Sequence, residues 1–170
     1  VSYMPGSDVG GTYMGPAEAL GMPDYNDSVQ EGAVSLGKGG SLTVAFTDNS
    51  LTTSGDSAGD LWVFEIGSAV ESFQVEISTN NVNWIDLGFV LGQPTGIDID
   101  AIAGVNVGEL YSYVRLTDTP GNQSGFPYGE ADIDAIGAIS SGQAVPLPAP
   151  TGFALFGLGL ILLAVSRRRG

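Results

Sequence analysis

Short apolar runs separated by turn residues fill the chain from residue 33 to residue 139. In SFQVEIS (72–78), Phe73, Val75 and Ile77 alternate with polar residues, which is the period of a β-strand with one buried face. No apolar i, i+3, i+4 pattern is sustained before residue 150, so we expect an all-β fold with antiparallel sheets. The other predicted strands are AVSL (33–36), SLTVAF (41–46), LWVFEI (61–66), NWIDLGFVL (83–91), IDIDAIA (97–103), LYSYVRLTD (110–118) and ADIDAIGAI (131–139).

The composition excludes several classes of chemistry. The chain of 170 residues contains neither Cys nor His, which excludes disulfides, thiolate chemistry and every Ser–His or Cys–His nucleophile. Hydrophobic residues make up 43% of the chain, enough for a packed core. We expect Trp62 and Trp84, which lie in apolar runs, to belong to that core.

The charge is strongly asymmetric. All 19 acidic residues precede the C-terminal tail, whereas only Lys38 and Arg115 of the five basic residues do so. Such a surface repels phosphate groups, so we expect no nucleic-acid partner. It attracts divalent cations.

Several strands together resemble a known family. FQVEISTNNVNWIDLG resembles the strand, hairpin and Trp-containing strand of galactose-binding-like (discoidin-type) domains, and GGSLTVAFTDN, GDLWVFEIG, YVRLTD and ADIDAIGAI fit the same framework in order. The resemblance, from about residue 33 to 139, implies an antiparallel jelly-roll β-sandwich. Most members of the family are non-catalytic and bind glycans, lipids or proteins through variable loops.

Acidic residues at strand ends form the strongest candidate for a metal site. SGDSAGD contributes Asp56 and Asp60, GEADIDAI contributes Asp132 and Asp134, and Glu65 lies within a predicted strand. Carboxylates at turn-rich strand ends suit Ca²⁺, and the family resemblance implies a structural calcium ion near such a place. The same residues equally fit solvated edge charges that prevent strand–strand aggregation.

Aromatic side chains offer a second, weaker candidate site. Phe126 and Tyr128 lie in the turn-rich segment GNQSGFPYGE and are candidates for glycan contact, together with Tyr25, Tyr111 and Tyr113. The alternative is that Tyr111 and Tyr113 pack between strands, while Phe126 and Tyr128 anchor their loop.

The C-terminal segment consists of three parts. A proline-containing stretch, Val145, Pro146, Leu147, Pro148 and Ala149, precedes 14 uncharged residues (152–165), which are followed by Arg167, Arg168 and Arg169. A helix of that length spans about 21 Å, less than the roughly 30 Å hydrocarbon core of a membrane. The predicted hydrophobic helix is therefore marginal as a permanent span.

This arrangement resembles the VPLPA-type branch of the PEP-CTERM sorting signals. The resemblance implies an exosortase-type membrane protease that cleaves near the proline motif, after the C-terminal helix has tethered the precursor to the inner membrane. We therefore expect an exported protein that ends at the cell surface or in the extracellular matrix, with a signal peptide already removed before Val1. The alternative is a plain single-pass anchor without processing.

Four segments follow from these patterns. They are a turn-rich N-terminal segment packing on the sandwich (1–32), the β-sandwich (33–140), a proline-rich linker (141–151), and the hydrophobic helix with the arginine tail (152–170). The expected function is non-catalytic, calcium-stabilised adhesion or glycan binding, with exopolysaccharide or matrix components as partners. One alternative is a self-associating matrix or filament subunit, and another is a carboxylate-based polysaccharide hydrolase.

Overall fold

The computed structural model describes residues 1–67, 69–119 and 126–147. Two short 3-10 turns, Gly11–Tyr13 and Pro16–Ala19, are the helical elements in this part of the chain. The strands are β1 (Ser2–Met4), β2 (Val34–Ser35), β3 (Ser41–Ala45), β4 (Asn49–Leu51), β5 (Leu61–Ile66), β6 (Ser72–Ser78), β7 (Ile85–Leu91), β8 (Thr95–Ile97), β9 (Tyr113–Asp118), β10 (Asp132–Ala138) and β11 (Ser141–Gln143).

The strands form two main sheets and one small sheet, and all their pairings are antiparallel. The larger sheet has the order β1-β3-β9-β6-β7, and the second has the order β2-β10-β5-β8. Strands β4 and β11 pair with each other. The predicted all-β class with antiparallel sheets is confirmed.

Side chains from both main sheets meet in one apolar core. Phe73, Val75 and Ile77 of β6 are fully buried, as their alternation predicts, and they join Leu61 and Val63 of β5 in the same cluster. Strands β2, β3, β7, β8, β9 and β10 contribute further members to this cluster, which are Val34, Leu42, Val44, Leu87, Ile97, Val114, Leu116, Ile133 and Ile136.

Both tryptophans were predicted to lie in the core, and both predictions are wrong. Trp62 is half-buried on the other face of β5, where it covers Gly96 so closely that a Cβ there would lie 2.7 Å from the indole. Trp84 is also half-buried, and the guanidinium of Arg115 lies 4.1 Å from its ring centroid. An indole has a large apolar surface and one N–H group, so a tryptophan can lie half-buried at the protein surface.

The strand predicted over 97–103 is wrong, since only Ile97 of these residues lies in a strand. Strand β8 ends at Ile97, because the side chain of Asp98 accepts a hydrogen bond from the amide of Asp100 and the amide of Ile102 bonds to the carbonyl of Ile99. These local bonds satisfy backbone groups that a strand would have paired with a neighbour.

Sheet structure extends on both sides of residues 33–140. Strand β1 from the N-terminal segment pairs with β3 at one edge of the larger sheet, and β11 lies in the predicted linker. The predicted C-terminal helix, with Pro148, Ala149 and Arg167–Arg169, lies outside the described residues. Within those residues, the structure contains no helix long and apolar enough to cross a membrane.

Candidate functional site

Strand β5 separates the predicted metal ligands into two groups. Asp60 directly precedes the strand, whereas Glu65 lies five residues further along, which corresponds to about 16 Å in an extended strand. Because β10 runs antiparallel to β5 and Asp132 lies opposite Ile66, Asp132 and Asp134 are at the Glu65 end. The structure therefore does not bring Asp60 together with Asp132 and Asp134.

Asp60 instead belongs to an aspartate cluster with Asp98 and Asp100, in which one carboxylate oxygen from each residue lies within 4.8 Å of the others. Asp60 is only 1% exposed, and its Oδ2 accepts a 3.0 Å hydrogen bond from the amide of Ile99. Its buried Oδ1 makes no hydrogen bond within the described part of the chain. A buried oxygen of this kind calls for a cation or a donor.

Turns hold the other two members of the aspartate cluster. Asp98 Oδ1 accepts the amide of Asp100, while the carboxylate of Asp100 accepts the amides of Ser54 and Gly55 at 3.1 to 3.2 Å. Asp56 is exposed, and its Oδ1 accepts the amide of Ala58 in its own turn. Asp56 thus lies in the neighbouring loop and outside the group of three.

The aspartate cluster fits a hard cation. Its donors are carboxylate oxygens on turn-rich segments next to strand ends, and Ca²⁺ accepts such ligands together with backbone carbonyls and water. An ion held by Asp60, Asp98 and Asp100 would join the segment after β8 to the start of β5.

A cavity of about 770 Å³ lies at the opposite end of β5. We call it the tyrosine–carboxylate cavity, because aromatic rings and acids dominate its lining. Its aromatic residues are Tyr13, Tyr25, Phe64 and Tyr128. Its acidic residues are Asp27, Glu65, Glu71, Asp132 and Asp134.

Two of these acids, Glu65 and Asp132, have pKa values well above the ordinary range of a carboxyl group. Glu65 is 3% exposed, and neither of its carboxylate oxygens makes a well-formed hydrogen bond to the described residues. Burial raises the pKa of Glu65 to about 8, although the nearby Gln93 amide opposes the rise. Burial also raises the pKa of Asp132 to about 7, against a lowering effect of the Ser35 hydroxyl. The negative charge of Glu71 raises both values further.

The N-terminal segment forms one wall of the tyrosine–carboxylate cavity. The amide of Asp24 donates a 3.0 Å hydrogen bond to Oδ1 of Asp134 on β10, which ties this segment to the sheet. Tyr13 is buried, and its ring centroid lies 5.7 Å from that of Tyr128. Burial raises the pKa of Tyr13 and of Tyr25, so both phenols are neutral hydrogen-bonding groups at neutral pH.

The structure divides the aromatic candidates. Tyr25 and Tyr128 line the cavity. Phe126 is 73% exposed and does not line the cavity. Tyr111 and Tyr113 are buried, in agreement with the alternative that they pack between strands.

Sequence reasoning missed Asp98, Asp100 and Tyr13. The sequence IDID at 97–100 has the same alternation of acids as ADID at 131–134, and its position after a strand was a usable signal. Tyr13 offered no local signal, because its place in the cavity depends on how the N-terminal segment packs on β10.

Comparison of the chain with protein-family models, curated proteins and solved structures finds no match. Functional inference therefore depends on the two sites themselves.

Proposed function

We propose that this is an exported bacterial protein of the cell surface or extracellular matrix, and that it binds glycans without catalysis. The tyrosine–carboxylate cavity is the observation on which this proposal depends. Tyrosine faces accept the apolar face of a sugar ring, and carboxylates accept its hydroxyl hydrogens. The galactose-binding-like jelly roll, whose members bind through loops, is the finer fold assignment that belongs to the same proposal.

Calcium is the structural partner in this proposal. The aspartate cluster supports it, because Asp60 Oδ1 is buried without a hydrogen bond and lies in a group of three carboxylates. Calcium would hold the loop after β8 against the start of β5. It would thereby stabilise a domain that contains no disulfide.

The route of export is proposed from the C-terminal tail. An exosortase-type membrane protease would cleave near Val145–Ala149 after the helix and the three arginines have held the precursor in the inner membrane. The support is the order of the three parts in the sequence, a proline motif, an apolar stretch and an arginine cluster.

A glycan array probed with the full chain tests the proposed function. We expect binding to one class of matrix polysaccharide or its oligosaccharides, and Tyr128→Ala should weaken it about threefold to tenfold by removing an aromatic contact. Phe126→Ala is the matched control, because Phe126 is an exposed aromatic residue outside the cavity. Absence of binding to every glycan would contradict the proposal.

One observation favours a second function, self-association as a matrix subunit. Strand β7 is an edge of the larger sheet, and it exposes Phe89 (70%) and Leu91 (63%). An open edge with apolar side chains is suited to pairing with another copy. Concentration-dependent polymers that disappear in Phe89→Lys would support this alternative.

A further inference from the structure

The tyrosine–carboxylate cavity has carboxylates on several sides, and no basic residue of the described part of the chain is among its lining residues. Five acids line it, whereas no Lys or Arg of the described residues does so. Lys38 instead pairs with Asp8 at 2.8 Å, and Arg115 pairs with Glu76 at 2.6 Å on the larger sheet. Lys38 and Arg115 are the only basic residues before the tail, so among the described residues no cation faces these acids when they ionise.

Three buried carboxylate oxygens in the cavity also lack a well-formed hydrogen bond to the described residues. Both oxygens of Glu65 and Oδ1 of Asp132 are buried without a well-formed hydrogen bond to the described residues. An acceptor left in this state is destabilising, and a ligand that donates hydrogen bonds relieves that cost. The ligand that fits should therefore combine positive charge with several N–H or O–H donors.

We infer that the cavity binds an amino sugar that carries a free, protonated amine, as in the glucosamine units of a deacetylated polysaccharide. The ammonium group would contact Glu65 and Asp132, and the sugar ring would lie against Tyr13 or Tyr128. This inference rests on the proposed glycan binding and adds to it the charge of the sugar.

Three other kinds of ligand fit less well. A bare metal ion would leave most of 770 Å³ unfilled, and among the described acids only Asp60, Asp98 and Asp100 form a group of three with their oxygens within 4.8 Å. A quaternary ammonium has no N–H to donate to Glu65. A neutral sugar donates hydrogen bonds but leaves the excess of acids uncompensated.

A primary ammonium meets these requirements together. It supplies three donors in a compact charge, and tyrosine faces attract a cation through their quadrupole. The raised pKa of Glu65 and that of Asp132 agree with this, because burial disfavours the ionised form of both carboxyls and an ammonium group beside them would favour it.

Isothermal titration calorimetry of the full chain with matched oligosaccharides tests the inference. The probes are a β-1,4-linked glucosamine trisaccharide, its fully N-acetylated counterpart and a glucose trisaccharide of the same linkage. The titrations are repeated at several pH values between about 5 and 8, because the amine must be protonated while Glu65 and Asp132 must be able to ionise. We expect the free-amine probe to bind at least about tenfold more tightly than the other two.

Two substitutions test whether the amino sugar binds in the tyrosine–carboxylate cavity. Glu65→Gln and Asp132→Asn keep the size of the side chain and remove its charge, and each should weaken binding of the free-amine probe by about tenfold or more. Asp48→Asn is the matched control, because Asp48 is an exposed acid outside the cavity. Melting curves check that each variant is folded.

The outcomes separate this inference from the proposed function. Equal or tighter binding of the N-acetylated or glucose probe would overturn the inference while leaving glycan binding intact. Unchanged affinity in both folded variants would overturn the placement in this cavity. Failure of all three probes would overturn the inference, and failure of the whole glycan array would overturn the proposed function as well. Release of shorter sugars from the bound probe would show hydrolysis, and it would overturn the non-catalytic role.

Discussion

The backbone amide of Asp24 donates a hydrogen bond to Oδ1 of Asp134, 110 residues further along the chain, at 3.0 Å. This bond joins the N-terminal segment to β10 and closes one wall of the tyrosine–carboxylate cavity. Asp134 was predicted to be a metal ligand. In the structure its hydrogen bond to Asp24 holds the segment that contributes Tyr13 and Tyr25.

Removal of the Asp134 carboxylate should weaken the attachment of the N-terminal segment to β10. We expect Asp134→Ala to lower the free energy of unfolding by about 1–3 kcal/mol and to speed hydrogen exchange at the Asp24 amide. Asp134→Asn keeps an oxygen at the same position and should retain most of the protection. Unchanged exchange at Asp24 in Asp134→Ala would contradict the assigned role.

The pH dependence of stability follows from Glu65 and Asp132. Their pKa values rise from 4.5 to about 8 and from 3.8 to about 7, so the folded state binds protons more tightly than the unfolded chain. The free energy of unfolding should therefore fall as the pH rises from about 4 to about 8. The other ionisable groups that line the cavity are Tyr13, Tyr25, Asp27, Glu71, Tyr128 and Asp134.

Replacement of Glu65 tests this pH effect. Glu65→Gln should raise the melting temperature at pH 8 by several degrees, since about 1 kcal/mol corresponds to roughly 2–4 °C for a chain of this size. At pH 4 the variant and the parent should melt at similar temperatures, because Glu65 is then protonated. Asp48→Asn provides the control for the removal of one exposed charge. If the melting temperatures of Glu65→Gln and the parent differ by the same amount at pH 4 and at pH 8, Glu65 is not the group responsible for the pH effect.

Calcium should stabilise the protein through the aspartate cluster. At a calcium concentration about 100 times the dissociation constant, we expect a gain of about 2.7 kcal/mol, or roughly 5–10 °C in melting temperature. Asp98→Asn and Asp100→Asn should abolish most of the gain, whereas Asp132→Asn at the other end of β5 should retain it. Equal melting curves in excess EDTA and in millimolar calcium would refute the metal site.

Processing of the C-terminal tail would change the intact mass of the protein. If an exosortase-type protease processes the chain, the intact mass of the protein recovered from the cell surface should lack Arg167, Arg168 and Arg169. Replacement of Pro146 and Pro148 by Ala should then cause accumulation of the uncleaved precursor in the membrane. Recovery of chains that all retain the three arginines would favour the plain anchor.

Local patterns predicted much of the fold. SFQVEIS corresponds to β6 and LWVFEI to β5 without a shift, because their buried positions alternate regularly. IDIDAIA did not remain a strand, since Asp98 caps its own turn. Strands β1, β4 and β11 have only three residues each and no apolar alternation, so their pairing depends on long-range contacts.

The candidate site was predictable in chemistry but not in arrangement. Glu65, Asp132 and Asp134 were identified from their residue types, and the structure brings them to one cavity. Their separation from Asp60 follows from the length of β5 and its antiparallel pairing with β10, which no single run of sequence displays.

A crystal structure of the full chain with calcium and the glucosamine trisaccharide tests the central claim most directly. We predict an ion bound by Asp60, Asp98 and Asp100 at one end of β5, and the sugar at the other end with its amine between Glu65 and Asp132. Sugar density outside the tyrosine–carboxylate cavity, with the cavity filled only by water, would contradict the account.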